Sequence, residues 1–402
     1  MRPIERTIEL AAARAAIDRA IAPIERLEIV PLLEASGRVL ARDIVAAHDV
    51  PPFARAAMDG YALRAADTAG ATHDEPRRLR CIEQIFTGRM PERTIDAGTC
   101  AEVATGAPMP DGADAVVMVE QTHRDAAGMV SIFAPATPRQ SVGARGADIA
   151  TGQTALNAGE LLNPARVGAI AALGIGEVEV YARPRVALLS TGDEIVEPGE
   201  PLRAGQIHDI NKFTMATTFA EHGGVPVVHR TANDSIDELS RALDACLEAD
   251  LVVFSGGTSA GERDLILDVL AARGEVLFHG ISLKPGKPTA FALVGGTPVF
   301  GLPGYPTSCL TNAYLLVVPA LRKLARLPVL AARRVTVPLA REIVAVRTRH
   351  QIYTVRVEDG RAVPAFKASG DITSMSQADG YIEIPAGTGS VAAGTPVEVT
   401  LF

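Results

Sequence analysis

The sequence predicts a multidomain α/β protein: a central doubly wound parallel sheet, a β-rich insert ahead of it, and a small β-barrel after it. Three observations carry that prediction. Over 184–325, near-continuous apolar runs at 186–190, 225–229, 251–254 and 276–279 alternate with amphipathic stretches. That is the pattern of parallel strands covered by helices on both faces. Residues 50–140 instead hold short β-like runs, such as Ala115-Val116-Val117-Met118-Val119, broken by Gly, Pro and Asp. The C-terminal 330–402 alternates apolar and polar residues at 335–339, 352–357 and 397–401, between Asp-Gly and Gly-Thr-Gly turns.

In chain order, 3–22 is expected as a helix, from Ile4, Ile8, Ala11, Ala12 and Ala15 at helical spacing and Pro3 in a first turn. Glu34-Ala35-Ser36-Gly37 breaks the pattern ahead of a strand at 38–44. A second helix is expected at 164–173 and a strand at 177–181. Packed beside the first helix, they would form a discontinuous domain, 1–48 with 141–180, that brackets an insert domain at 49–140. The α/β domain is then 181–327 and the C-terminal β domain 328–402. Within the α/β domain, Asn211 is expected to cap a helix ending at Gly223-Gly224. Asp234 or Ser235 caps the next, whose apolar face is Ile236, Leu239, Leu243 and Leu247. Helices at 264–273 and 306–324 and a strand at 289–294 complete it.

Composition narrows the function classes. A chain of 402 residues exceeds what one core serves, about 250–300 residues, so two to four domains are expected. A net charge of −8 argues against nucleic acid or an anionic membrane surface as partner. The absence of Trp leaves few platforms for stacking bases. No apolar run approaches the ~18 residues of a spanning helix. Arg2, Glu5, Arg6 and Glu9 interrupt any signal-peptide core. Cys81, Cys100, Cys246 and Cys309 are scattered without a C-x-x-C pair, which fits a reduced cytoplasmic protein without bridges or zinc.

The chemistry gathers in four loops beyond the carboxyl ends of the α/β strands, where open sheets bind ligands. They carry Thr191-Gly192-Asp193-Glu194; Ser255-Gly256-Gly257-Thr258-Ser259-Ala260-Gly261-Glu262-Arg263-Asp264; Lys284-Pro285-Gly286-Lys287-Pro288; and Leu302-Pro303-Gly304-Tyr305-Pro306. The glycine loop enters a helix N-terminus, so its amides suit an oxyanion, although a plain tight turn reads the same way. Gly256 and Gly261 have Walker A spacing, but Glu262-Arg263 replaces the required Lys-Ser/Thr, which excludes a P-loop. Gly174-x-Gly176 lacks a third glycine, so a nicotinamide or flavin site is unsupported. In the lysine loop each Pro fixes φ and biases the preceding Lys toward extended backbone, holding two ammonium groups for a tetrahedral oxyanion. A surface turn is its alternative. Asp193, Glu194 and Asp264 supply hard oxygens suited to Mg²⁺ beside a phosphate, with helix capping the alternative for Asp264. Asp59 lies in the β-rich region, and Thr105-Gly106-Ala107-Pro108 is by itself a turn sequence. His208 and His279 lack ligand-like neighbours, and Ser190, Ser255 and Ser308 lack a nucleophile elbow.

At these residues the chain resembles the MoeA/gephyrin E-domain family of molybdopterin molybdenumtransferases. The matching stretches run in the family's order over nearly the whole chain. They are Pro51-Pro52-Phe53, Met58-Asp59-Gly60-Tyr61-Ala62, Thr105-Gly106-Ala107, Gly112-Ala113-Asp114-Ala115-Val116-Val117, Ser190-Thr191-Gly192-Asp193-Glu194, Gly205-Gln206-Ile207, Asp209-x-Asn211, Ser255-Gly256-Gly257, the lysine loop and Leu302-Pro303-Gly304. The resemblance implies a four-domain homodimer with a molybdopterin-binding-like central domain, closed by the partner's β-rich domain. It implies Mg²⁺-dependent insertion of molybdate into adenylylated molybdopterin with release of AMP, and contact with an upstream adenylyltransferase and with apo-molybdoenzymes. Carried onto matching positions, the catalytic set is Asp59, Thr105, Asp148, Glu194, Asp234, Asp264, Lys284 and Lys287, with Glu194 and Asp264 on the metal. Gly192, Ser255, Gly256, Gly257, Ser259, Gly261, Pro285, Gly286, Pro303 and Gly304 would bind the pterin nucleotide.

The chain also departs from the family pattern. Gly143 stands where the family has Arg, Ala147 where it has Glu, and Tyr305 where Asn is typical, while Thr258-Ser259-Ala260-Gly261 replaces Val-Ser-Val-Gly. Arg145 is a candidate substitute cation. These changes support an alternative reading, a catalytically reduced paralogue that binds or scaffolds the finished cofactor.

Overall fold

The computed structural model describes residues 6–232, 235–256 and 265–402. They form two compact units: 30–36 with 42–178, and the larger remainder, which includes 37–41 and 179–402. The first helix, α1 (Leu10–Ala20), starts later than its spacing predicts. The residues ahead of it are spent on pairing: Ile8 N–H donates to Gly280 O (3.1 Å) and Ser282 N–H donates to Ile8 O (2.8 Å). Leu10, Ala13 and Ile17 join the larger unit's core, beside Val186 and Leu188. The helix expected as its companion, α2 (Pro164–Ala172), lies in the smaller unit, capped by Asn163, whose Oδ1 accepts from Arg166 N–H.

The smaller unit is built on six strands: β1 (Gly60–Leu63), β2 (Arg77–Ile85), β3 (Thr99–Val103), β4 (Ala115–Met118), β5 (Thr122–Arg124) and β6 (Met129–Ile132). Their order is β4-β1-β3-β2-β6-β5, and only β2 and β3 are parallel. β1 is buried along its whole length, which explains its unalternating Gly-Tyr-Ala-Leu. Tyr61 and Leu63 face one cluster and Ala62 another. A Cβ on Gly60 would stand 2.0 Å from Val117 O, so only glycine lets β4 pair there.

The larger unit's central sheet holds β7 (Arg185–Ser190), β8 (Val225–Val228), β9 (Leu251–Ser255), β10 (Glu275–His279), β11 (Ala290–Val294) and β12 (Thr297–Leu302). The order is β8-β7-β9-β12-β11-β10. The all-parallel expectation is corrected at one strand: β11 runs antiparallel to both neighbours. Gly295 and Gly296, at φ +58° and +87°, turn Val294 straight back onto Thr297, a two-residue hairpin that needs positive φ twice. β12 is the strand that sequence reading passed over.

Alternation along the strands sorts the helices into two layers. Val186, Leu188, Leu251 and Val253 pack with α1 and with Met215 and Phe219 of α3 (Asn211–Glu221). Ala187, Leu189, Val252 and Phe254 pack with α4 (Ile236–Cys246) and α5 (Leu265–Arg273). The helix expected at 306–324 is present as α6 (Pro306–Asn312), one wide turn over Ala313–Val317, and α7 (Val318–Leu324). Pro319 has no N–H for Leu315 O, and Arg14 Nε supplies the missing donor at 3.3 Å. Asp209, rather than Asn211, satisfies the first turn of α3, its Oδ1 accepting from Lys212 N–H (3.0 Å). Ser235 caps α4 through Glu238 N–H.

The last strands are β13 (Arg334–Pro338), β14 (His350–Glu358), β15 (Arg361–Pro364), β16 (Gly380–Ile384) and β17 (Pro396–Leu401). They pair as β15-β14-β16-β17-β13, and a bridge from Leu339 to Ala362 of β15 closes the circuit into a small barrel around Val355, Ile382 and Val399. One strand pair leaves the barrel: Leu283-Lys284 lies parallel to His350-Gln351 of β14.

Candidate active site

β7, β9 and β12 end level with one another, Ser190 opposite Ser255 and Ser255 opposite Leu302. Their loops stay stitched beyond that line. Thr191 N–H donates to Ser255 O (3.0 Å), Gly256 N–H donates to Leu302 O (3.2 Å), and the Ser190 and Ser255 hydroxyls share a bond of 3.3 Å. A Cβ on Gly256 (φ +98°) would lie 2.4 Å from Thr191 O, and one on Gly304 would lie 3.3 Å from Gly256 Cα. The glycines are therefore what lets three loops meet. The Glu194 carboxylate folds back over Gly192, 2.7 Å from where a side chain would begin. Gly192, Glu194, Ser255, Gly256 and Gly304 thus share one corner, with Pro303 buried beneath it.

That corner carries unanswered polar atoms. Thr191 Oγ1 and Asn211 Oδ1 are buried and have no hydrogen-bond partner among the described residues. Asn211 Nδ2 is occupied, donating to Gly304 O at 2.8 Å, so the side chain ties α3 to the loop after β12. A buried acceptor left unmade costs about 1–3 kcal/mol, which a polar ligand would relieve. Gly257, Ser259, Gly261, Asp264 and Asp234 lie outside the described residues.

The lysine loop is pinned from below. Gly286 O accepts from Thr289 Oγ1 (2.9 Å) and from Asn312 Nδ2 (3.0 Å), and Asn312 Nδ2 also reaches Thr289 Oγ1 at 2.5 Å. Asn312 is fully buried at the end of α6, the helix that begins just after Pro303-Gly304. Gly286 has φ +104°, and a Cβ there would collide with the Asn312 amide at 2.3 Å. Lys287 O accepts from both Ile281 N–H and Thr289 N–H at 2.9 Å. Lys284 opposes Gln351 of β14, and Pro285 is buried. Neither lysine ammonium is bonded among the described residues, so the loop backbone is fixed while both charges stay available.

Asp59 and Thr105 meet in the smaller unit. Thr105 donates to Asp59 Oδ1 through its N–H (2.6 Å) and through Oγ1 (2.8 Å). Those two bonds hold the Asp59 carboxyl below its ordinary range. Asp148 is exposed, its N–H donating to Val50 O (3.0 Å). Arg145, the candidate substitute cation, is engaged by Asp49, Nε to Oδ2 at 2.6 Å. A different guanidinium stands at the departure from the family pattern. Gly143 pairs with Arg55, whose Cγ and Nε would lie 3.4 and 3.8 Å from a Cβ at 143. Sequence reading missed Arg55, Asn312 and the Gln351 pairing, because each acts across a contact distant in the chain.

Chemically, the larger unit offers two cations on a rigid loop and a corner of carboxylate and hydroxyl oxygens. Among the described residues no group of three or more His, Cys, Asp or Glu side chains forms a metal cage. Glu194 and Thr191 Oγ1 are hard oxygen donors, the kind that magnesium takes. A cavity of about 510 Å³ lies elsewhere, on the barrel strands near Arg334, Glu383 and Glu398, and includes none of the expected site residues. No helix among the described residues is long and apolar enough to cross a membrane.

Comparison with known proteins identifies the family. The chain matches the MoeA N-terminal region (domain I and II) over 8–174, the "Probable molybdopterin binding domain" over 187–323, and the MoeA C-terminal region (domain IV) over 336–402. It is 36% identical over 381 residues to molybdopterin molybdenumtransferase 2 of Mycobacterium tuberculosis, covering 92% of this chain and 94% of that protein. Against the molybdopterin molybdenumtransferase of Haemophilus influenzae it is 37% identical over 298 residues, 74% of this chain and 72% of that one. Its structure is similar to a crystal structure of the molybdopterin biosynthesis protein MoeA of Pyrococcus horikoshii, with a TM-score of 0.86 and 40% identity over 98% of this chain and 99% of that chain. By sequence over nearly its full length and by fold, the chain belongs to the MoeA family of molybdopterin molybdenumtransferases.

Proposed function

We propose that the chain acts in molybdenum cofactor biosynthesis by inserting molybdate into adenylylated molybdopterin, with release of AMP. The observation that carries this reading is the lysine loop: a backbone locked by Asn312 and Thr289 with two ammonium groups that no described residue bonds. Cations already in place need no reorganisation when a tetrahedral oxyanion arrives, and preorganised charge of this kind is the largest single term in many enzymes. Lys284 and Lys287 bind and orient the oxyanion. The amides around Gly256 and Gly304 hold the pyrophosphate, and Thr191 and Asn211 offer their open oxygens to the nucleotide's polar edge. Thr105 keeps Asp59 ionised and oriented. Glu194 and Asp264 would hold Mg²⁺, which would supply positive charge to the anhydride oxygens.

Arg55 beside Gly143 supports this reading over the binding-only paralogue, since it keeps an arginine side chain next to the position where the family has Arg. We assign the chain to the cytoplasm as a homodimer of four domains, receiving substrate from an adenylyltransferase and serving apo-molybdoenzymes. The test is direct: add molybdate and magnesium to protein loaded with adenylylated molybdopterin and measure AMP. Release that requires both additions supports the transferase. Tight pterin binding with no AMP formed would establish the scaffold instead.

A further inference from the structure

The smaller unit holds two thiols that the proposed reaction does not use. Cys81 of β2 and Cys100 of β3 are register partners on the sheet's parallel pair. They belong to one side-chain cluster with Tyr61, Leu79 and Val130, so both project from the same face. Neighbouring strands lie ~4.8 Å apart, inside the ~4.4–6.8 Å range of Cα separations that a disulfide spans. Register partners on adjacent strands are thus within the backbone reach of a bridge. Register shifts between Cys81 and Glu83, and the Cys81 thiol lies 3.4 Å from Glu83 O. Cys81 is partly exposed, whereas Cys246 and Cys309 are 1% and 0% exposed and sit in separate clusters.

The surroundings divide the roles. The neighbouring Cys100 thiol, helped by the Arg124 guanidinium, brings Cys81 down to about 6, and the same neighbour together with burial pushes Cys100 up. Burial alone pushes Cys246 up to about 12. A Cys81 held below the ordinary thiol range beside a Cys100 held above it is the pairing of an attacking and a resolving cysteine.

We propose that Cys81 and Cys100 form a reversible oxidation site, in which a peroxide oxidises Cys81 and Cys100 closes it to a disulfide. The Cys81 sulfur attacks one peroxide oxygen and takes it as hydroxyl; the O–O bond breaks and hydroxide leaves, to be protonated by water. The Cys100 sulfur then gives up its proton and displaces the sulfenic hydroxyl, which departs as water. Two thiols lose two electrons and one hydrogen peroxide gains them. A dithiol reverses the bridge by exchange.

Treating the reduced full-length protein with hydrogen peroxide and mapping tryptic peptides tests this, because cleavage after Arg89 and Arg93 separates the two cysteines. The expected product links peptide 81–89 to 94–124 and is undone by dithiothreitol. Cys100→Ser, which keeps a hydroxyl donor, should accumulate a dimedone-reactive sulfenic acid at Cys81. Alkylation of Cys81 at pH 7 should outrun an ordinary thiol about thirty-fold, the ratio of thiolate fractions for about 6 against about 8.5. Over-oxidation of Cys81 without a link, or alkylation of Cys81 no faster than Cys246, would overturn the proposal.

Discussion

The lysine loop and the Asp59–Thr105 corner each carry a charge proposed to meet ligand, and they are held in different ways. The lysine loop is fixed by buried bonds to its backbone, from Asn312 and Thr289 to Gly286 O. At the exposed corner, the bonds go to the charged group itself, from Thr105 to the Asp59 carboxylate. Where the backbone is anchored and the charge is free, charge and fold can be removed separately. Where the charge is the anchor point, chemistry and protonation change together and the fold is spared.

The largest effect expected from that contrast is on turnover alone. Lys284→Ala and Lys287→Ala should each lower AMP release about 10²–10³-fold, the cost of losing one preorganised electrostatic contact. Their thermal unfolding should match the parent, since neither ammonium is bonded among the described residues. Asn312→Ala should show the opposite character: about 0.5–1.5 kcal/mol of stability lost in denaturant titration, from the Asn312 bond to Gly286 O, which keeps Thr289 as its remaining donor. Turnover should fall as well, because the loop is no longer pinned. If Asn312→Ala lost neither, the loop's rigidity would have another source.

At the exposed corner, Thr105→Val removes the hydroxyl donor and keeps the N–H. Stability should stay within about 0.5 kcal/mol of the parent. The Asp59 carboxyl should rise toward its ordinary range, seen by NMR titration, and the acid limb of activity should move to higher pH. Asp49 makes a useful control, because Thr151 grips it by the same N–H and hydroxyl pair, with Arg145 added. Its carboxyl is held at about 2, chiefly by Thr151 and then by Arg145. A depressed carboxyl stabilises the fold above its unfolded value, near 4, and that stabilisation is lost as pH falls through about 2. Arg145→Ala should therefore move acid unfolding slightly upward in pH and leave turnover unchanged. Lost turnover would assign Arg145 to the site after all.

The contrast also explains what was legible in the sequence. Lys284-Pro285-Gly286-Lys287-Pro288 announces fixed cations, and the glycines after β7 and β9 announce backbone approach, because proline and glycine act locally. The apolar runs of β7 and β9 were readable for the same reason. Gly295-Gly296 carried a hairpin signal that would have revealed β12 and the reversed β11; the alternation of strands and helices on either side hid it. Asn312 reads as one more polar residue on a helix, and its bond reaches back 26 residues. Lys284 pairs with Gln351, a contact no local pattern contains. Arg55 lies beside the position of the missing cation, across a strand pair that only the register reveals.

The central claim is that the pinned lysine loop receives the oxyanion. Crystals soaked with molybdate and measured at the molybdenum absorption edge would test it most directly. The account predicts an anomalous peak within contact of the Lys284 and Lys287 ammonium groups, absent from crystals of the Lys284→Ala/Lys287→Ala variant. A peak of equal height in that variant, or one only on the barrel beside Arg334, would contradict it.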